Sequence, residues 1–407
     1  MPAGLSDTLP TLLPVAGIRL GTAAAGIRYT GRDDLVLVEL DGQTRTAAVF
    51  TRNAFCAAPV IVARRHLARV APRYLLINAG NANAGTGDPG VADALATCRL
   101  VAGQCQCEVE QVLPFSTGVI SEPLPLEKFH DGIAQAAARL DPAAWPAAAR
   151  AIMTTDTAPK AVSRQVTIGD ETVTITGMAK GSGMICPDMA TMLAYIATDA
   201  ALARDVLEHC LREAVAGTFN SITVDGDTST NDACVLMATG RSAAPPIEDV
   251  DSGSCRRFTA ALEEVCRVLA QAIVRDGEGA TKFITIEVDQ GRSREECRQV
   301  AYTVAHSPLV KTAFFASDPN WGRILAAVGR AGIEDLDVGR VDLFLGDVCI
   351  ARGGALADTY TEARGREVMA REDITIRIRL GRGDAGATVW TCDLSYDYVR
   401  INAEYRT

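Results

Sequence analysis

The segment GMAKGSGMICPDMATMLAYIAT, residues 177–198, carries two kinds of sequence on either side of Thr191. Before it lie glycines, small residues and polar groups; after it Leu193–Ala200 reads as an apolar strand. Gly181-Ser-Gly183-Met-Ile-Cys186 has cysteine where a dinucleotide-binding fingerprint needs its third glycine. The chemistry therefore points to Met189-Ala190-Thr191-Met192-Leu193 instead. A threonine hydroxyl with no histidine beside it is a poor nucleophile. It becomes a good one if the preceding peptide bond breaks, because the new α-amine, pKa about 7.7–8.0, is then a local base on its own side chain. Gly181, Gly183 and Ala190 suit the tight, strained turn that such a break needs.

Working outward, the first third reads as strands and tight turns. Asp33–Leu40 runs into Asp41-Gly42 and Thr46–Phe50 resumes an apolar pattern, as in a hairpin. Tyr74–Asn78 is a short strand that stops at AGNANAGTG. Helical patterns follow at Val91–Gln104 and Leu126–Leu140, and Val166–Thr176 alternates as a strand pair around Gly169-Asp170. The second half alternates helix and strand. Asp205–Thr218 and Ser254–Arg275 are amphipathic, separated by a polar linker, Ala243–Ser252. Phe283–Asp289, Val341–Leu345, Ile374–Leu380 and Val389–Asp393 read as strands, and Val399-Arg400-Ile401 as a last strand entering the body. No repeat of 20–50 residues is visible. The pattern predicts an α/β protein with stacked, mixed or antiparallel sheets flanked by helices. A doubly wound parallel sheet is the alternative, weakened because the βαβ rhythm fails in the first half.

Composition excludes several function classes. The 407 residues carry 40 basic and 50 acidic side chains, a net charge of −10, and no Lys/Arg-dense stretch that a nucleic-acid partner would need. No apolar run approaches the roughly 20 residues that span a bilayer. The amino terminus has no basic residue before Arg19, so it lacks the charged leader of a secretory signal. Twelve cysteines are scattered from Cys56 to Cys392 without a CxxC, and none of the four histidines is spaced with one as a zinc site requires. They read as reduced thiols acting as small hydrophobes in a soluble, cytoplasmic protein.

Six polar, glycine-rich segments are not explained by hydrophobic patterning: AGNANAGTG (79–87), FSTGVI (115–120), AKGSGMICPDMAT (179–191), VDGDTSTND (224–232), RDGEGATK (275–282) and SDPNWGR (317–323). Glycine lets backbone amides approach a ligand, and neighbouring Thr, Asn and Asp supply donors and acceptors. Taken singly, each is an ordinary loop. The 224–232 loop begins like a calcium loop with Asp225, Asp227 and Ser229, then has Thr230 at the turn-glycine position and Leu236 where a bidentate Glu belongs. A solvated turn or a structural polar network is the better reading.

These segments, in this order, resemble the ornithine acetyltransferase family, the glutamate N-acetyltransferases of cyclic arginine biosynthesis. The resemblance spans FCAAPV (55–60), NAGNANAGTG (78–87), STGVI (116–120), MTTDT (153–157), GMAKGSGMICPDMAT (177–191), TVDGDTSTND (223–232), DGEGATK (276–282), SPLVKTAFFASDPNWGRI (307–324) and INAEYRT (401–407). It implies an N-terminal-nucleophile-like fold of the ornithine acetyltransferase/aminopeptidase type that cuts itself at Ala190-Thr191. The products would be an α chain, 1–190, and a β chain, 191–407, assembled as an α2β2 heterotetramer without metal or prosthetic group. It makes Thr191 the nucleophile and Thr117 with Gly118 the oxyanion hole. It places Thr154, Lys180, Thr191, Glu278, Asn402 and Thr407 on the substrate, with Thr155 and Thr157 as alternatives to Thr154. The sequence departs from the family pattern at Cys186, in place of an expected proline, and at Ser121, in place of glycine.

The implied reaction is acetyl transfer from N2-acetyl-L-ornithine, which leaves as L-ornithine, to L-glutamate, giving N-acetylglutamate by a ping-pong cycle. Acetyl-CoA stays open as a second donor. An amidohydrolase or aminopeptidase of the same nucleophile type is the alternative, since only water exclusion separates the two outcomes. A non-catalytic binding protein is the third reading.

Overall fold

Three strands rich in apolar residues, LVLVEL (35–40), LAYIAT (193–198) and ACVLMA (233–238), the last not picked out from sequence, are buried almost throughout. A strand covered on both faces needs no polar alternation, and that requirement builds the architecture. The computed structural model describes residues 3–186 and 192–404. In chain order the first strands are β1 (Ile18–Ala23), β2 (Leu35–Leu40), β3 (Arg45–Phe50), β4 (Tyr74–Asn81) and β5 (Val112–Val119). Then come β6 (Lys160–Ile168), β7 (Glu171–Lys180), β8 (Leu193–Thr198), β9 (Ala233–Ala238) and β10 (Phe283–Gly291). The last are β11 (Asp342–Leu345), β12 (Val348–Arg352), β13 (Ala355–Leu356), β14 (Asp373–Arg379) and β15 (Ala385–Cys392).

They form three sheets: β1-β2-β4-β5, β3-β9-β8-β7-β6 and β13-β12-β11-β14-β10-β15. Each contains one parallel pair, β4/β5, β8/β9 and β10/β14, among antiparallel neighbours, so the mixed sheets read from sequence are present and the doubly wound alternative is not. The first two sheets stack face to face. Val36, Val38, Leu75 and Phe115 of one meet Met178, Tyr195, Val235 and Met237 of the other. The intervening side chains point away: Leu35, Leu37 and Leu76 pack under helices Gly87–Cys105 and Leu126–Ala138, while Ala194, Ile196 and Leu236 pack under Arg204–Ala216 and Gly253–Arg275. The result is helix, sheet, sheet, helix. The third sheet has its own core with the helices Arg294–Ala305 and Trp321–Gly329.

The Gly169-Asp170 reversal is as read, with Ile168 opposite Glu171. The expected hairpin at Asp41-Gly42 is not formed: β2 pairs with β1 and β4, whereas β3 crosses to the second sheet and pairs with β9. The turn is real, with the Thr44 N–H donating to the Asp41 carbonyl at 2.9 Å, but the two strands it joins take their ladders in different sheets. None of the twelve cysteines is in a disulfide, and seven are buried, several in the helix-covered cores, as small hydrophobes would be. Among the described residues no helix is long and apolar enough to cross a membrane.

Close packing of the outer layer gives a direct check. A Cβ on Gly21 of β1 would lie 2.0 Å from the Ala136 carbonyl oxygen of the covering helix. Gly21→Ala should therefore lower unfolding free energy by about 1–3 kcal/mol in chemical denaturation, the usual cost of overpacking. An unchanged midpoint would mean that this helix is not held against β1.

Candidate active site

At one end of the stacked sheets, β5 and β7 finish and β8 and β9 begin around a cavity of about 230 Å³. Its wall includes Thr117, Gly118, Thr154, Thr155, Lys180, Met192, Asp225, Asn231, Asp232, Glu278, Tyr398 and Asn402. Six of the expected site residues, Thr117, Gly118, Thr154, Lys180, Glu278 and Asn402, are thus gathered from segments far apart in sequence. Ala190, Thr191 and Thr407 lie outside the described residues; Met192, next to Thr191, lines the cavity.

The end of β5 is shaped by backbone contact. Gly118 sits at φ 133° and a Cβ there would fall 2.2 Å from the Gly80 carbonyl carbon, so only glycine fits. A bulge at Gly80/Asn81, where Asn81 faces both Thr117 and Val119, turns this end of the sheet. The asparagines of AGNANAGTG hold that turn. Asn78 accepts from the Ser116 hydroxyl at 2.6 Å and donates to the Asn81 carbonyl at 2.9 Å; Asn83 donates to the Gly90 carbonyl at 2.9 Å. Asn231 ties the second sheet to the first, donating to the Ala82 and Ser116 carbonyls at 2.6 and 2.9 Å. Ser121 has φ 66°, a left-handed conformation where glycine is at home.

Lys180, the last residue of β7, donates to Thr117 Oγ1 at 3.2 Å and Thr154 Oγ1 at 2.8 Å. With its oxygen taken by an ammonium, the Thr117 hydroxyl keeps its own proton for the cavity. The three threonines of MTTDT have separate partners: Thr154 bonds Lys180, Thr155 bonds the Ser182 hydroxyl at 2.7 Å, and Thr157 bonds Asp276. Thr154 and Thr155 line the cavity; Thr157 is not part of its wall.

Beneath Lys180 lies a buried charge cluster. Lys160 bridges Asp156 at 2.7 Å and Asp276 at 2.6 Å, and Asp156 also accepts from the backbone N–H groups of Gly181 at 2.7 Å and Thr154 at 3.0 Å. Lys180 stands 3.9 Å from Asp156. Burial alone would raise the Asp156 carboxyl, but Lys160, Lys180 and these donors hold it well below the usual carboxylate range. Burial pushes the Lys180 ammonium below its ordinary value, against the pull of Asp156.

On the opposite wall Asn402 donates to Glu278 Oε2 at 2.7 Å, and the Glu278 N–H donates to the Ser182 carbonyl at 2.9 Å. Gly183 leaves room for that carboxylate, since a Cβ there would meet it at 2.5 Å. The chain end read as a strand is instead a helix, Tyr396–Glu404, with Val399 63% exposed. Ser395 accepts from the Tyr398 N–H, a helix-start signal, and Tyr398 and Asn402, four apart, share the face toward the cavity.

The acidic loop is a backbone clamp. The Asp225 carboxylate accepts from the N–H groups of Met184 and Ile185 at 2.7 and 2.9 Å, and the Thr223 and Thr228 hydroxyls donate to the carbonyls of Ile185 and Cys186 at 3.0 and 3.1 Å. Cys186 Sγ also lies 3.4 Å from His306 Nε2. Among the described residues no cluster of three or more His, Cys, Asp or Glu could hold a metal ion. Two other segments are structural: Lys282 donates to the Met369 and Arg371 carbonyls, and Asn320 caps the helix that starts at Trp321. Asp156, Lys160 and Asp276 were not singled out by sequence reasoning, although MTTDT and RDGEGATK contain two of them.

Comparison with known proteins adds an independent line. The family model described as ArgJ family matches residues 19–407. The chain is 58% identical over 407 residues, all of both chains, to the arginine biosynthesis bifunctional protein ArgJ of Pseudomonas fluorescens (strain Pf0-1). It is 60% identical over 396 residues, 97% of each chain, to the protein of the same name from Methylococcus capsulatus. A solved structure of arginine biosynthesis bifunctional protein argJ from Bacillus halodurans is 38% identical, covering 51% of this chain and 96% of its own, with a TM-score of 0.49.

The depressed Asp156 pKa sets a sign. A carboxyl whose folded pKa lies below its unfolded value adds stability above the ordinary carboxylate range and loses it as pH falls from that range toward the depressed folded value. Asp156→Asn should cost about 3–5 kcal/mol at neutral pH by leaving Lys160 underpaired. Denaturation at neutral and acid pH should show the variant losing less further stability than the wild type below about pH 4.

Proposed function

The chain belongs to the ArgJ family, and from that premise we propose that it is a self-cleaving acetyltransferase of arginine biosynthesis. It moves acetyl from N2-acetyl-L-ornithine to L-glutamate through an acetyl ester on Thr191. The observation that carries this reading is the cavity beside Met192, whose walls hold a hydroxyl donor, an ammonium and a carboxylate within one small space.

Cleavage comes first. The Thr191 hydroxyl adds to the Ala190 carbonyl, the Ala190–Thr191 C–N bond breaks as the hydroxyl proton passes to the nitrogen, and water then hydrolyses the ester, leaving Ala190 with a carboxylate and Thr191 with a free α-amine. The described residues on both sides of this segment are anchored. Residues 184–186 are held by Asp225, Thr223 and Thr228, and the Met192 carbonyl accepts from the Ala233 N–H at 2.9 Å. The products are 1–190 and 191–407, joined as an α2β2 heterotetramer in the cytoplasm.

In the first transfer step the Thr191 oxygen bonds to the acetyl carbon of N-acetylornithine, and the carbonyl oxygen becomes an oxyanion. The Thr117 hydroxyl and the Gly118 N–H stabilise it, each good donor contributing roughly 3–4 kcal/mol in the transition state. Collapse breaks the C–N bond and releases ornithine. Glutamate then enters and its amine carries the acetyl away. Both substrates carry an α-carboxylate, which suits Lys180 with Thr154, while Glu278 with Asn402 offers the opposite polarity for the cationic side chain of ornithine. Thr407 completes the substrate contacts. Acetyl-CoA is a second acetyl donor, which fits the name bifunctional carried by the relatives; no metal or prosthetic group takes part.

Purified protein should run as two fragments on a denaturing gel, the larger beginning Thr-Met-Leu-Ala-Tyr by N-terminal sequencing. An intact yet active chain would refute the mechanism. Incubation with N-acetylornithine should yield N-acetylglutamate only when glutamate is present; acetate released without it would mark a hydrolase.

Thr117→Ala should lower kcat by roughly 10²–10³ and change KM much less, because an oxyanion donor acts mainly in the transition state. A variant altered only in thermal stability would make Thr117 a structural residue.

A further inference from the structure

Two lysines end on adjacent strands beside the cavity, and the reaction above uses only one of them. Lys160 opens β6 opposite Ala179, and Lys180 closes β7 one residue further on. The Lys160 ammonium has three N–H groups and three acceptors: Asp156 at 2.7 Å, Asp276 at 2.6 Å and the Ala158 carbonyl at 3.2 Å. Its side chain and that of Asp156 are wholly buried, and Lys160 is not part of the cavity wall. Asp276 stands at the end of the helix Gly253–Arg275, where the helix dipole disfavours a negative charge, so helix stability does not account for it.

The two lysines compete for Asp156. Its Oδ1 accepts from Lys160 and from the Gly181 N–H, both at 2.7 Å, and its Oδ2 accepts from the Thr154 N–H at 3.0 Å. The Lys180 nitrogen stops 3.9 Å from that Oδ2 and donates instead to the hydroxyls of Thr154 at 2.8 Å and Thr117 at 3.2 Å. An ammonium gains more from a buried carboxylate than from a neutral hydroxyl. Lys180 nevertheless faces two hydroxyls, because Asp156 is already filled. The charges of the cluster also balance, Asp156 and Asp276 against Lys160 and Lys180.

Resting on the roles given above to Lys180 and Thr117, we propose that Lys160 is a positioning residue for acetyl transfer: by filling Asp156 and Asp276 it leaves the Lys180 ammonium turned onto Thr117 and Thr154. Lys160 touches neither substrate nor the reacting atoms. It acts through Lys180, whose hold on the Thr117 oxygen leaves the hydroxyl proton for the oxyanion.

Burial lowers the pKa of the Lys180 ammonium, Asp156 opposes that, and the charge of Lys160 adds to it. Two substitutions in the cluster should therefore act with opposite sign. In Lys160→Met the repelling charge is gone and Asp156 is open, so Lys180 is drawn inward, stays charged to higher pH and is lost to Thr117. In Asp276→Asn, Lys160 turns wholly to Asp156, the cluster carries a surplus positive charge, and Lys180 gives up its proton at lower pH. The other titratable groups facing Lys180 are Asp225, Asp227 and Asp232 in the 224–232 loop, Glu278 before β10 and Tyr398 on the C-terminal helix. They are the same in both variants.

Full-length wild type and the two variants are compared by the pH profile of kcat/KM for N-acetylornithine with glutamate as acceptor, rates being referred to the cut fraction on a denaturing gel. Activity needs the Lys180 ammonium and is lost as pH rises through its pKa. That alkaline limb should move to higher pH in Lys160→Met and to lower pH in Asp276→Asn, each by about one unit. On the plateau the kcat of Lys160→Met should fall at least roughly tenfold. Limbs that stay in place or move together overturn the proposal, as does a Lys160→Met enzyme with wild-type kcat. A purely structural ion pair would lower stability in both variants and leave the limbs alone. Should two carboxylates in the core stop Lys160→Met from folding, Asp276→Asn decides, and an unchanged or raised limb there overturns the proposal. Lys180→Met with wild-type kcat would refute the role of Lys180 and this proposal with it; a slow Lys180→Met beside unmoved limbs refutes the role of Lys160 alone.

Discussion

Everything at the cavity hangs on how one carboxylate is satisfied. Asp156 is buried, and an unpaired carboxylate in that position would cost several kcal/mol. It is met by Lys160, by the Gly181 and Thr154 N–H groups, and at longer range by Lys180. Each contact also sets a piece of geometry: the MTTDT loop, the start of β6 and the end of β7 are held around a single acceptor. The direction of the Lys180 side chain toward Thr117 and Thr154 follows from that arrangement. A site that needs a hydroxyl proton aimed at an oxyanion gains from such rigidity, since a donor that must reorganise during the reaction loses much of its effect.

The same economy explains the polar loops. Asn78, Asn81, Asn83 and Asn231 spend their amides on backbone carbonyls, and Asp225 spends its carboxylate on backbone N–H groups. These loops are structured because their own side chains pair the backbone that the sheets leave unmatched. The side chains that remain for a ligand, Thr117, Lys180, Glu278 and Asn402, are few. Asp232 is the exception, a carboxyl with one oxygen left unpaired among the described residues.

Much of the fold was legible because it rests on local signals. Continuous apolar runs gave strands covered on two faces, Gly169-Asp170 gave a reversal, and Ser254–Arg275 showed the helical stripe now buried against the second sheet. The family motifs named six residues that the structure brings to one cavity. What was not legible depends on distance. Nothing in the spacing of Asp156, Lys160 and Asp276 announces a shared cluster, since Asp276 lies 116 residues beyond Lys160. The hairpin at Asp41-Gly42 failed because β3 had a longer-range partner, and the terminal strand failed because two-residue alternation in Tyr398–Ile401 conceals a four-residue pairing of Tyr398 with Asn402.

The order β3-β9-β8-β7-β6 places two strands from after residue 190 between strands from before it. Lys180 is paired with Leu193 across that boundary, and Phe50 with Ala233. The middle sheet is therefore shared: each half completes a sheet of its own, but neither contains all the strands of the one between them. That sheet forms most readily while the chain is still one covalent string, since closing a loop within one chain is easier than bringing two chains together. A chain severed between β7 and β8 after folding would keep the pairing of Lys180 with Leu193 across the cut. It also bears on heredity: a gene broken at this point would ask two separate polypeptides to find each other with the strands of their common sheet still unpaired, so continuity of the reading frame is itself part of the structural design.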